Sequence, residues 1–149
     1  MMKRVYAKEE VCAGCRLCEV WCVVAHSQSK NIIKAFNEEF PRPLPRVKVE
    51  EFGPFSFALQ CRHCQDPPCI EACMTGAMHR EGLEGPVLHD ADRCVGCWMC
   101  IMVCPYGAIA RDETIKKIAS KCDLCYGEEE PACVAHCPNE ALVYEDRGE

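Results

Sequence analysis

Cys94-Val95-Gly96-Cys97-Trp98-Met99-Cys100-Ile101-Met102-Val103-Cys104-Pro105 is the stretch on which the reading of this chain turns. It sets four cysteines at C-x2-C-x2-C-x3-C spacing with a proline directly behind them. Cys12, Cys15, Cys18 and Cys22 repeat that spacing. Cys61, Cys64, Cys69 and Cys73 widen the middle gap to four residues, and Cys122, Cys125, Cys133 and Cys137, ahead of Pro138, widen it to seven. All 16 cysteines therefore fall in runs of four.

A length of 149 residues suits one ordinary domain or two very small ones. Cysteine makes up 16 of them, above the roughly 8–10% that marks a chain held by disulfides or metals rather than by its core. Two tryptophans, four tyrosines and five phenylalanines leave little bulk for packing alone. The formal charge of −6 and pI near 5.4 argue against a nucleic-acid footprint or attraction to an anionic membrane surface. Residues 1–10 hold no apolar run of the kind an export signal needs, and the best apolar stretch, Val20 to Ala25, is far too short to span a bilayer. The expectation is a cytoplasmic protein, in a compartment where thiols stay reduced and available to metals.

The two tight runs have the spacing with which iron–sulfur cubanes are held, the fourth cysteine serving the other cluster of a pair. Cysteines at i, i+3 and i+6 let one loop wrap three corners of a cube, while the fourth, on the helical turn that follows, points toward a second. Sixteen thiolates at four per cubane predict four [4Fe–4S] clusters with none left over. Two groupings satisfy the spacing. The nested one joins Cys12, Cys15 and Cys18 with Cys137; Cys122, Cys125 and Cys133 with Cys22; Cys61, Cys64 and Cys69 with Cys104; and Cys94, Cys97 and Cys100 with Cys73. The sequential one exchanges last cysteines between the first and second runs and between the third and fourth. Four zinc sites would consume the same thiolates, but structural zinc draws two close ligands from each of two separated turns. A disulfide scaffold would call for an export signal.

The fold class expected is α+β: two pseudo-symmetric dicluster modules, small and cofactor-stabilised, with short hairpins and short helices. Residues 1–30 with 121–149 form the outer module, 55–120 the inner, and 31–54 an insert. Strands are expected at Arg4 to Ala7, Val47 to Glu51, Ser56 to Gln60, Ala77 to His79, Val87 to His89, Ala108 to Arg111, Ile115 to Ser120 and Ala141 to Tyr144. Short helices are expected over Arg16 to Val24, Ile70 to Cys73, Trp98 to Val103 and Ala132 to His136. In the insert, Ser29 to Phe40 reads as a helix with Ile32, Ile33, Phe36 and Phe40 on one face, followed by extended backbone at Pro41-Arg42-Pro43-Leu44-Pro45. The insert is read as an element that clasps the modules or meets a partner, or as a wrap over the clusters.

A cubane with four thiolates is an anion, so backbone N–H groups and nearby cations must offset it. Arg16, Arg62, His63, Arg93 and Lys121 lie beside cysteines and are expected either to raise a potential or to be ordinary solvated groups. Trp98 and Trp21 are expected to shield clusters from water. No histidine is expected as a ligand. No nucleotide loop, nucleophile elbow or spare cysteine is present, and all-cysteine ligation leaves no position for a substrate. The expectation is a non-catalytic carrier of electrons.

The whole chain resembles the four-cluster ferredoxin-like electron-transfer subunits that serve molybdopterin oxidoreductases, formate dehydrogenases and hydrogenases. Within that superfamily it is most similar to the iron–sulfur proteins that partner nickel carbon monoxide dehydrogenase. The resemblance lies in Cys12-Ala13-Gly14-Cys15-Arg16-Leu17-Cys18-Glu19-Val20, Ala25-His26-Ser27 with Pro41-Arg42-Pro43, Leu59-Gln60-Cys61-Arg62-His63-Cys64, and Val95-Gly96-Cys97-Trp98-Met99-Cys100. Val23 and Met74 depart from it, standing after Cys22 and Cys73 where such proteins often have proline. The resemblance implies nested grouping and electrons passed from a carbon monoxide dehydrogenase, or another low-potential dehydrogenase, to a hydrogenase, a flavin-dependent NAD(P) reductase or a ferredoxin.

Overall fold

A computed structural model describes residues 2–148. The chain runs β1 (Arg4–Ala7), α1 (Leu17–His26), α2 (Ile32–Asn37), β2 (Val47–Phe52), β3 (Phe55–Gln60), α3 (Pro68–Glu71), β4 (Met78–Arg80), β5 (Val87–His89), α4 (Met99–Val103), β6 (Ile109–Asp112), β7 (Ile118–Lys121), α5 (Ala132–Ala135) and β8 (Leu142–Glu145). Helices and strands mix along the chain, as α+β requires. The strands form four two-stranded antiparallel sheets, β1–β8, β2–β3, β4–β5 and β6–β7. Pairing of β1 with β8, Arg4 opposite Glu145 through Ala7 opposite Leu142, draws the two ends of the chain together.

A two-stranded ribbon is at best marginally stable by itself, so each must find cover. Two clusters of buried side chains supply it. One gathers Val5, Val47, Val49, Ala58, Leu124 and Leu142 with the sulfurs of Cys18, Cys22, Cys122 and Cys133. The other gathers Met78, Val87, Ile109 and Ala119 with Cys69 and Cys100. Cysteine takes places that bulkier apolar residues occupy in ordinary cores. Among the described residues, no helix is long and apolar enough to cross a membrane.

Several boundaries move from their expected places for local reasons. Pro67 and Pro68 start α3 two residues early, since proline is pre-set for the first helical turn. The carboxylate of Asp112 accepts from the Thr114 amide and hydroxyl, and this turn delays β7 to Ile118, leaving Ile115 exposed. The insert helix is shorter than expected. Asn31 caps it by accepting from the Ile33 and Lys34 amides, while Glu39 folds back to accept from the Gln28 and Ser29 amides. Its expected apolar face is not its buried face. Ala35 is fully buried, Ile32, Ile33 and Phe40 are exposed, and the Arg42 guanidinium lies over the rings of Phe36 and Phe40. The insert's strand β2 packs inward: it pairs with β3 from Val47 opposite Gln60 to Phe52 opposite Phe55, and Val49 joins Ala58 of β3 in the first core.

Replacing Asn31 with alanine removes the acceptor for two amides and costs about 1 kcal/mol. Hydrogen exchange at Ile33 and Lys34 is expected to quicken about fivefold, with the Val49 amide unchanged.

Candidate iron–sulfur site

The first C-x2-C loop of each run makes the same backbone turn. Its third residue is left-handed in all four: Gly14 (φ 65), His63 (φ 47), Gly96 (φ 70) and Leu124 (φ 58). For His63 and Leu124 that conformation costs about 1–2 kcal/mol, yet it turns their amides back on the loop. His63 N and Leu124 N each donate to the sulfur of the loop's first cysteine, Cys61 and Cys122, at 3.4 Å. Gly96 is required for a second reason: a Cβ there would stand 2.5 Å from the Lys117 carbonyl oxygen. Further amides reach the last cysteines, from Arg46 to Cys22 at 3.2 Å, Met78 to Cys73 at 3.4 Å and Ala141 to Cys137 at 3.3 Å. These bonds stabilise negative charge on sulfur.

The sixteen cysteines are all free thiols, and the fold collects them from distant runs. Cys12, Cys15, Cys18 and Cys137 line one small cavity together with Val49, Ala58 and Leu142. Cys61, Cys64, Cys69 and Cys104 line another with Val87 and Tyr106. Cys94, Cys97, Cys100 and Cys73 line a third with Met78 and Trp98. Cys122, Cys125 and Cys133 gather beside Cys22, near enough for its charge to act on each of them. Three cysteines of each set come from one run and the fourth from the last position of another. Cys104 stands with Cys61, and Cys22 with Cys122.

The spacing of these sulfurs discriminates between metals. Four thiolates on one zinc at about 2.3 Å would sit roughly 3.8 Å apart. Among the described residues, the one group of three or more ligand atoms mutually within 4.8 Å is His26, Asp123 and Cys125, so no three cysteine sulfurs approach that closely. Sulfurs that line a common cavity without converging on a point fit a multi-atom inorganic core. Burial pushes the thiols of Cys18 and Cys69 up to about 11 and that of Cys122 to about 12, with Cys133 higher still. Such thiols give up their protons to a metal rather than to water. Cys73 shifts downward instead, because bonds from Met78 and Thr75 outweigh its burial.

Of the groups beside cysteines, Arg16 and Arg93 are solvated, and Arg62 lies over the Tyr106 ring. His63 and Lys121 are not surface groups: they are 0% and 3% exposed. Burial, and then the Lys121 charge, pushes His63 down to about 2. It is neutral, its Nδ1 accepts from the Val87 amide, and its Nε2 has no protein partner. Trp98 lines the third cavity beneath the Arg111 guanidinium, and Trp21 stacks on His136 at 3.7 Å.

Other members of the site carried no signal in the spacing. Asp123 accepts from His26 Nε2 at 3.0 Å and from the Arg46 guanidinium at 2.6 Å, while His26 Nδ1 donates to the Cys22 carbonyl at 2.8 Å. Burial opposes the charge on His26, but hydrogen bonds to Asp123 and Cys22 push its pKa up to about 9, so the imidazolium bridges α1 to the Cys122 loop. Glu19 accepts from the Val49 amide, the Ser56 hydroxyl donates to the Cys12 carbonyl, and Arg80 donates to the Cys64 carbonyl. Each joins positions far apart in sequence, which spacing within a run does not encode.

The sequence profile of the 4Fe-4S dicluster domain matches residues 54–147. The chain belongs to that family. Electron transport protein HydN of Escherichia coli (strain K12) is 38% identical over 99% of this chain and 90% of its own. A Rhodospirillum rubrum protein named "Iron-sulfur protein" is 39% identical, over 93% of this chain and 79% of its own. Among solved structures, a chain of the active site complex BamBC of benzoyl coenzyme A reductase superposes with a TM-score of 0.51 at 23% identity, across 96% of this chain and 76% of that one. At that identity the likeness speaks for the fold. This dicluster chain is an electron-transfer iron–sulfur protein.

Alanine at Gly96 meets both the left-handed backbone and the Lys117 carbonyl. Gly96→Ala is expected to lower the iron bound per chain, as read by iron analysis of anaerobically purified protein. Gly53→Ala, left-handed but with nothing within 4 Å of the added carbon, is expected to leave iron content unchanged.

Proposed function

We propose that each of the four cysteine sets holds one [4Fe–4S] cluster, four in all, and that the chain relays low-potential electrons between two partner proteins without catalysing a reaction itself. The observation that carries this reading is the gathering of four cysteines around each of three cavities, with no three sulfurs close enough to share one ion. Such a cluster, once bound, takes up and releases one electron at a time.

The order of the sets supports a relay. Cys18 of the first set acts on Cys133 of the second, and Cys122 of the second is acted on by Cys61 of the third. The third and fourth share the core that holds Cys69 and Cys100. Cys15 and Cys97 are the exposed cysteines, one in the first set and one in the last. The ends therefore meet solvent and partners, while Val49, Ala58, Leu142, Tyr106 and Trp98 line the walls and keep water from the sulfurs. With every proposed cluster ligand a cysteine, the clusters keep no open position for a substrate.

The names "Electron transport protein HydN" and "Iron-sulfur protein" support an electron-transport role. A carbon monoxide dehydrogenase as donor, with a hydrogenase, a flavin-dependent NAD(P) reductase or a ferredoxin as acceptor, rests on the sequence resemblance alone. A formate dehydrogenase or molybdopterin enzyme would use the same relay. The cytoplasm is the proposed location.

Anaerobically purified protein is expected to be brown, with about 16 iron and 16 sulfide per chain, four for each cysteine set. Colourless protein with about four zinc would overturn the reading. Cys104→Ser is expected to damage the site of Cys61, Cys64 and Cys69 and to spare that of Cys122, Cys125 and Cys133, as read by EPR. Anaerobic pull-downs against a nickel dehydrogenase, a formate dehydrogenase and a hydrogenase separate the partners.

A further inference from the structure

Lys121 ends β7 immediately before the last cysteine run and is 3% exposed. Its Nζ donates to the Val87 carbonyl and, at 2.7 Å, to the Cys122 carbonyl. Both acceptors are uncharged, and among the described residues no carboxylate pairs with it. Asp123, the nearest acid in sequence, is held by His26 and Arg46. A buried ammonium without an opposite charge is costly, and such groups are found paired.

The two acceptors show what faces it instead. Val87 lines the cavity of Cys61, Cys64, Cys69 and Cys104, as does Ile109, the cross-strand partner of Lys121. Cys122 belongs to the neighbouring set. The ammonium thus stands in the partition between the two middle sites, and its charge favours the thiolates of both Cys69 and Cys122.

We infer that Lys121 is the shared counter-charge of the two middle cluster sites, holding both anions in place and raising their potentials. The inference rests on the four-cluster reading above. A fixed cation favours the more negative, reduced state of a group beside it. Lys121 therefore offsets the repulsion that two adjacent anionic sites exert on an electron passing between the ends.

The test is an EPR-monitored redox titration of anaerobically loaded, full-length protein, with the end signals assigned beforehand by Cys15→Ser and Cys97→Ser. Lys121→Gln keeps a hydrogen-bond donor and loses the charge, Lys121→Met loses both, and Lys121→Arg keeps the charge. In the Gln and Met variants, the ratio of reduced to oxidised middle clusters at fixed poise is expected to fall at least tenfold, about 59 mV for a one-electron couple. The end clusters should shift far less, and Arg should restore the middle pair. Loss of the two middle clusters from Gln and Met, with Arg fully loaded, equally supports a shared counter-charge. Wild-type titration in fully loaded Gln protein, an Arg variant that behaves like Gln, or failure of all three variants to load would overturn it by assigning Lys121 to packing. Failure of the four-cluster reading is distinct, since wild-type protein would then lack four reducible clusters.

Discussion

Buried thiolate must be compensated, and the rest of this structure follows from that. Burial pushes the thiols of Cys18, Cys69 and Cys122 up to about 11 or 12, so their sulfurs carry charge in the core only where positive charge accompanies them. The chain meets the requirement with amide donors turned toward sulfur, with fixed cations, and with cavities around which cysteines gather in fours. Its apolar side chains do not fill a centre of their own. Val49, Ala58 and Leu142 wall one cavity, Met78 and Trp98 another.

This division of labour explains the economy of the fold. Strands of three to six residues and helices of four to ten residues would not hold together as isolated pieces. They serve as brackets, each returning the chain from one cysteine loop to the next. The left-handed third residue of the first C-x2-C loop in each run costs conformational energy at His63 and Leu124, and the same turn brings their amides to sulfur. Strain of this sort is at home where it positions a functional group.

Near the middle of the molecule, Val87 ties several of these elements together. Its amide donates to His63 and its carbonyl accepts from Lys121, so both polar groups of one fully buried residue are held by side chains from other cysteine loops. His63 is neutral there, and among the described residues no carboxylate pairs with Lys121. The contrast with the solvated Arg16 and Arg93 shows that adjacency to a cysteine says little about which cations act on it at close range. Depth decides, because water screens the exposed charges and not the buried one.

The cysteine spacing by itself pointed to iron–sulfur chemistry. Residue type and spacing in the loops are local properties, written within eleven consecutive residues of the tight runs, and the short strands and helices between runs could be read from the same local signals. Spacing left two groupings open, because which run supplies the fourth cysteine depends on how distant loops pack; the pairing of β1 with β8 and the packing of α3 on α4 bring Cys137 to Cys12 and Cys104 to Cys61. The same holds for the outward-facing Ile32 and Ile33, for Asp123 held by His26 from 97 residues away, and for Lys121. Burial and long-range contact are properties of the whole fold, and a residue's sequence neighbours do not carry them.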